Sequence, residues 1–203
     1  ALGCSIVVFP ELAVTGYPPE DLLLRGDFIA EVEAGVETLS RKIEGISAII
    51  GHPWREEGIL FNAASVITGN RVQARYYKRE LPNYSVFDEK RYFQPGSLPC
   101  VVEVSGVRLG VTICEDIWHD GPVEDSVAAG AAVVLNLNAS PFHMGKANER
   151  ETQVVAQRAR KSAVSIVYVN LVGGQDELVF DGGSFVINNQ GRVTHRGRFF
   201  SEQ

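Results

Sequence analysis

Cysteine is scarce in this 203-residue chain, and the three present, Cys4, Cys100 and Cys114, are odd in number. Their spacing fits neither a disulfide framework nor a zinc site, so a reducing compartment is expected. Basic charge is also short: 19 Lys and Arg against 25 Asp and Glu leave a net charge of -6. Nucleic acid and anionic membrane surfaces are therefore not expected as partners, because both demand clustered cations. Small anionic ligands stay open. No apolar run reaches the roughly 20 residues of a spanning helix. The first residues also lack the basic-then-apolar layout of a secretory leader, and a cytoplasmic location is expected. Repeats, low-complexity segments and linkers are missing. The four histidines, His52, His119, His143 and His195, show no ligand spacing, and no metal is expected.

What remains, at 45% hydrophobic and 22% charged, suits one domain with a real core. The stretch VRLGVTICEDIW, residues 107–118, organises the reading. Val107, Leu109, Val111 and Ile113 alternate as a strand buried on one face should, and the strand delivers Cys114 into an acidic loop. A thiolate beside carboxylates is disfavoured unless a cation stands nearby.

Taken in order, residues 5–9 read as an apolar strand covered on both faces, ending at Glu11, with residues 20–24 as a short helical turn. That strand has no preceding turn or cap, so the chain is expected to begin inside a larger protein. Asp27 is placed to cap a helix carrying Phe28, Val32, Val36, Leu39 and Ile43. Residues 46–50 form a strand followed by a loop over 51–58, and residues 63–67 and 72–77 a hairpin turning at Gly69 and Asn70. The aperiodic segment after Lys78 is a long ordered loop, of a length that usually serves function. Residues 100–104 and 107–113 form a second hairpin. Helices are expected over 123–130 and 148–163, strands over 131–137 and 165–171, and a last hairpin over 184–195. Helices mixed with several hairpins give an α/β fold with two sheets face to face and helices outside.

Glu11, Lys78 and Cys114 all lie at strand ends. Together they could serve as base, cation and nucleophile, with the backbone N–H of Glu115 as a second oxyanion donor. Each also has an ordinary reading: a solvated edge carboxylate, a surface lysine and a core thiol. His119 offers an alternative Cys–His pairing. Asp176, Glu177 and Asp181, among glycines, read as solvated loop acids that could otherwise line a site.

Four blocks, FPELAVTGYPPEDLL, YYKRELPNYSVFDEKRYF, GVTICEDIW and NLNASPFHMGK, resemble motifs of the carbon–nitrogen hydrolase (nitrilase) superfamily. Their PPEDLL, LPNY, VFDE and CEDIW forms are similar to those of the glutaminase domains of glutamine-dependent NAD+ synthetases. The resemblance implies a four-layer α-β-β-α sandwich of two mixed sheets across residues 1–203, lacking an N-terminal strand and helix. It assigns the base to Glu11, the lysine to Lys78 and the nucleophile to Cys114, with Glu89 as a further acid beside them. Glutamine contacts fall on Tyr84, Ser140 and Lys146. The implied reaction converts L-glutamine to glutamate and ammonia through a Cys thioester. No cofactor is implied in this domain. ATP and Mg2+ belong to a synthetase domain, absent from this chain, that amidates deamido-NAD+, and a homo-oligomer is implied. The competing readings are a stand-alone amidase, carbamoylase or nitrilase with the same triad, and a catalytically silent assembly module.

Overall fold

The structure, a computed structural model, describes residues 3–202. The chain divides into two compact units, one up to Leu98 and one from Pro99. Each is a mixed sheet with helix packed on it, and each is taken by itself.

The first unit contains β1 (Ile6–Val8), a 3-10 turn (Glu20–Leu24), α1 (Gly26–Ser40), β2 (Ser47–Glu56), β3 (Ile59–Thr68), β4 (Arg71–Tyr77) and a second 3-10 turn (Glu89–Arg91). The strands lie in the order β1-β2-β3-β4, with β1 parallel to β2 and the others antiparallel. It follows that β1 and β4 run the same way and end at the same sheet edge, where Glu11 and Lys78 follow them. The loop expected over 51–58 is instead strand through Glu56. The reversal is made by Glu57 and Gly58 alone, both left-handed at φ 52° and 82°, as a tight hairpin requires. Gly51 inside β2 is needed for close approach: a Cβ there would stand 2.4 Å from the Pro10 carbonyl oxygen and 2.7 Å from the Leu12 nitrogen. The β1 run is half-buried at the sheet edge, not covered on both faces as its composition suggested.

Two expectations for α1 are corrected. Asp27 sits inside the first turn, where it accepts the Phe28 N–H at 3.0 Å and pairs with Arg25, and Arg25 holds the N-cap position. An anion in the first turn still meets the favourable end of the helix dipole. The buried stripe is Ile29, Val32, Val36 and Ser40, leaving Leu39 exposed. Ile43, beyond the helix end, packs with Val7 and Val72 on a core of Ala48, Ile50 and Ile67.

The second unit contains β5 (Cys100–Val104), β6 (Val107–Ile113), a 3-10 turn (Cys114–Ile117), α2 (Pro122–Ala128) and β7 (Val133–Asn138). There follow α3 (Lys146–Asn148), a π-helical stretch (Glu149–Val155), α4 (Ala156–Lys161), β8 (Ser165–Asn170), β9 (Val172–Gln175), β10 (Leu178–Asp181), β11 (Phe185–Ile187) and β12 (Val193–Arg196). Six strands lie in the order β12-β11-β8-β7-β6-β5. Strands β8, β7 and β6 are parallel to one another, and the pairings of β11 with β12, β11 with β8 and β5 with β6 are antiparallel. Strand β6, one in from the edge strand β5, is buried on both faces from Leu109 to Ile113, which replaces the one-sided reading of its alternation. Gly110 permits this, because a Cβ would meet Ser126 at 2.9 Å and Ala131 at 3.0 Å where α2 lies on the sheet.

The helix expected over 148–163 starts and ends two residues earlier and carries the π-helical stretch within it, a feature frequent at functional sites. The glycine-rich stretch after Leu171 is a β9–β10 ribbon turning at Asp176 and Glu177, unseen in the sequence because paired glycines weaken a strand signal. Val155, Ala159, Val164, Ile166, Tyr168, Phe185 and Ile187 make the core of this unit. Full burial of each large side chain contributes about 1.5–3 kcal/mol.

Candidate active site

In the first unit the candidate residues converge. Glu11, Lys78 and Glu89 are 0%, 1% and 5% exposed, which overturns the surface readings of the strand-end Glu and Lys. Lys78 Nζ donates to Glu11 Oε1 at 2.7 Å and to Glu89 Oε1 at 2.8 Å. Asn62 Nδ2 donates to the same Glu11 oxygen at 2.8 Å, and Tyr17 OH to Glu89 Oε1 at 3.0 Å. Backbone contacts fix the lysine: its N–H donates to Asn62 O at 2.8 Å and its carbonyl accepts the Gly96 N–H at 2.8 Å. Gly96 is small by necessity, since a Cβ would lie 2.3 Å from the Tyr77 carbonyl oxygen.

One ammonium thus serves two buried carboxylates. Burial pushes the Glu89 carboxyl up to about 7. The neighbouring Glu11 adds to the rise, while Lys78 and the Tyr17 hydroxyl hold it down. Glu89 Oε2 has no hydrogen-bond partner among the described residues. Tyr84, on the loop between Lys78 and Glu89, is 56% exposed and meets Phe87 edge-on at 5.6 Å.

In the second unit, parallel pairing of Ile113 with Leu137 and of Asn138 with Asn170 aligns the carboxyl ends of β6, β7 and β8. This is the edge at which open α/β sheets bind ligands. Cys114, Ser140 and Asn170 all lie at or just past those ends. Cys114 is 6% exposed and left-handed at φ 41°, a backbone state that costs a non-glycine residue about 1–3 kcal/mol and clusters at functional sites. The turn it opens is tied down by Asp116, whose Oδ2 accepts the Ile113 N–H at 2.8 Å. Glu115 is buried on the same turn, and the ring of His119 engages its carboxylate, with Nε2 3.1 Å from Glu115 Oε1. Lys146 lies 4.0 Å over the Trp118 ring and 3.3 Å from Glu149 Oε2.

Ser140 is buried on a polar network that sequence reasoning missed. Arg150 Nε donates to Ser140 Oγ at 3.0 Å, its Nη2 to the Ser140 and Pro141 carbonyls at 2.7 and 2.9 Å, and its Nη1 to Asp181 Oδ1 at 2.6 Å. Asn170 Oδ1 accepts the Ser140 N–H at 3.0 Å. Asp181 is 1% exposed, so the solvated-acid reading is wrong for it and holds for Asp176 and Glu177, which are exposed. A signal existed: Arg150 is a cation in the first turns of a helix, where the dipole disfavours it, and so it needed a carboxylate from elsewhere. Asn62 and Tyr17 gave less, a lone amide in an apolar strand and an aromatic in a turn.

Among the described residues, no three His, Cys, Asp or Glu side chains are grouped to hold a metal ion. No helix among the described residues is long and apolar enough to cross a membrane.

Known proteins resemble the chain along its whole length. The sequence pattern of the carbon-nitrogen hydrolase family matches residues 1–203. A glutamine-dependent NAD(+) synthetase of Xylella fastidiosa is 48% identical over 203 residues, covering 99% of this chain and 37% of that protein. One from Aquifex aeolicus is 44% identical over 200 residues, covering 97% and 35%. The solved glutamine-dependent NAD+ synthetase of Acinetobacter baumannii, in complex with ADP, superposes with a TM-score of 0.93 at 40% identity, covering 98% of this chain and 38% of that one. An amidase of the nitrilase superfamily from Nesterenkonia matches with a TM-score of 0.84 at 25% identity, covering 97% and 74%. The chain therefore spans little more than a third of the synthetases it matches.

Proposed function

Because the chain belongs to the carbon-nitrogen hydrolase family, we propose that it hydrolyses L-glutamine to glutamate and ammonia, as the ammonia-producing part of a glutamine-dependent NAD+ synthetase. The observation that carries this reading is the buried Lys78 ammonium bonded to both Glu11 and Glu89. A cation buried with two acids is a poor device for stability alone, and such clusters concentrate at functional sites.

In the proposed reaction, Cys114 Sγ attacks the carboxamide carbon as its proton passes to Glu11. The carbonyl oxygen becomes an oxyanion stabilised by the Lys78 ammonium and the Glu115 backbone N–H. Glu11 returns the proton to the leaving nitrogen, ammonia departs, and a glutamyl thioester remains. Glu11 then takes a proton from water, the hydroxide adds to the thioester carbon, and collapse releases glutamate with Cys114 reprotonated. Glu89 holds Lys78 from its second side. Tyr84, Ser140 and Lys146 bind the amino-acid end of glutamine. The ammonia serves an ATP- and Mg2+-dependent domain that amidates deamido-NAD+, in a cytoplasmic homo-oligomer.

The likeness to the Nesterenkonia amidase favours a second reading, hydrolysis of simple amides by the same residues. Intact-mass analysis after incubation with 6-diazo-5-oxo-norleucine, with Cys114→Ala as control, separates the two. One adduct, lost in the variant, is expected. A folded protein that leaves this glutamine analogue unbound while hydrolysing a short aliphatic amide would establish the second reading instead.

A further inference from the structure

Arg150 and Asp181 form a buried ion pair in the second unit, with side chains 3% and 2% exposed, and the proposed chemistry uses neither. A guanidinium is an expensive group to bury, and here its hydrogen bonds among the described residues run to the segment that follows β7 and to Asp181. Its Nη2 spans two consecutive carbonyls, those of Ser140 and Pro141, and its Nε reaches the Ser140 hydroxyl oxygen. A guanidinium N–H can only donate, so Ser140 Oγ accepts that bond and its own hydrogen must point to a different acceptor. Asn170 completes the frame: Oδ1 accepts the Ser140 N–H, while Nδ2 lies 3.3 Å from Asp181 Oδ1 and donates to the Gly182 carbonyl at 3.1 Å. Backbone N–H, backbone carbonyl and side-chain hydroxyl of one residue are all fixed by a single buried network.

We propose that Arg150, held by Asp181, is a positioning residue that presets the Ser140–Pro141 segment and the direction of the Ser140 hydroxyl for substrate recognition beside Cys114. The proposal rests on the reading of Ser140 as a glutamine contact. Arg150 touches no reacting atom and acts through Ser140. Only a planar fork can hold the segment in this way, because a lysine at position 150 can satisfy Asp181 but cannot reach the hydroxyl and both carbonyls together.

The test compares two alkylating agents at Cys114 in the whole protein. 6-Diazo-5-oxo-norleucine needs the glutamine contacts, whereas iodoacetamide needs only an accessible thiolate. In Arg150→Lys, with fold checked by near-ultraviolet circular dichroism, the rate with the diazo ketone should fall at least about tenfold while that with iodoacetamide stays within about twofold. The KM for glutamine should rise more than kcat falls. Ser140→Ala should show the same selective loss, and adding Arg150→Lys to it should lower the ratio little further, because both act through one hydroxyl. If Arg150→Lys does not fold, Ser140→Ala alone decides: an unchanged ratio, or equal losses with both reagents, overturns the proposal. In a folded Arg150→Lys protein those same outcomes overturn it. A wild-type protein that takes up iodoacetamide but never the diazo ketone removes the glutamine reading, and this inference falls with it. A normal wild type with an insensitive Arg150→Lys removes the inference alone.

Discussion

Each unit buries a strong cation, and the two are treated in opposite ways. Lys78 has two carboxylates for one positive charge, with Glu89 pushed up to about 7 and one of its oxygens unbonded among the described residues. Arg150 has one carboxylate for one charge, and its remaining contacts go to neutral oxygens. The first cluster carries one acid more than its single cation balances, and burial favours the protonated form of Glu89. The second is balanced, as a frame should be. A buried ion pair taken alone says little about role, but whether its charges match says a good deal.

The contrast breaks most sharply at Lys78. Lys78→Met keeps the aliphatic stem and deletes the charge, leaving Glu11 and Glu89 to face each other. The proposed glutaminase activity should fall by at least about 10²–10³, the scale of losing an oxyanion donor. Stability should fall by about 3–5 kcal/mol, the scale of breaking a buried pair. Glutamate release and urea unfolding check the two parts. Full activity in this variant would remove Lys78 from the chemistry.

Asp181→Asn tests the balanced cluster. The amide keeps the shape and one acceptor, but Arg150 loses its charge partner in a site where, among the described residues, no other carboxylate is bonded to it. A destabilisation of about 3 kcal/mol at pH 7 is expected, read from the urea midpoint with the slope unchanged. Glu89→Gln, formally the same change in the other unit, should be neutral or stabilising above pH 7, since it removes the surplus acid. Equal effects of the two variants would erase the distinction drawn between the clusters.

How much of this was legible in the sequence follows the same physics. Glu11, Lys78 and Cys114 could be named because strand-end positions and motif resemblance both pointed to them, and the structure brings Lys78 to Glu11 within one unit. The mixed α/β class with two sheets was legible from hairpin turns such as Gly69–Asn70. The β2–β3 extension was not, because Gly51 and Pro53 read as breakers when in fact Gly51 admits the loop carrying Glu11. Asp181 was misread for a related reason: flanking glycines suggest solvent, and the cation that buries it lies 31 residues earlier in the chain. Pairings of that separation leave no local pattern to find.

The smallest predicted effect sets two buried groups of the first unit against each other. His52 is fully buried, its Nε2 2.7 Å from Ser65 Oγ and its Nδ1 2.9 Å from the Pro53 carbonyl oxygen, so Nδ1 carries the hydrogen. Burial lowers it to about 4 from the usual 6.5. The unfolded chain therefore binds more protons between those values, and His52 makes stability rise with pH across that window. Glu89, raised from 4.5 to about 7, keeps its proton longer in the folded state, so it makes stability fall as pH rises from about 4.5 to 7. Between 4.5 and 6.5 the two slopes oppose each other, each worth on the order of 1–3 kcal/mol. Relative to wild type, the melting temperature of Glu89→Gln should climb progressively with pH across 4.5–7, and that of His52→Asn should drop across 4–6.5, by a few degrees each. A Glu89→Gln difference curve that stays flat or drops across that range would mean that Glu89 does not hold a proton in the folded protein, and the surplus-acid description of the Lys78 cluster would have to be given up.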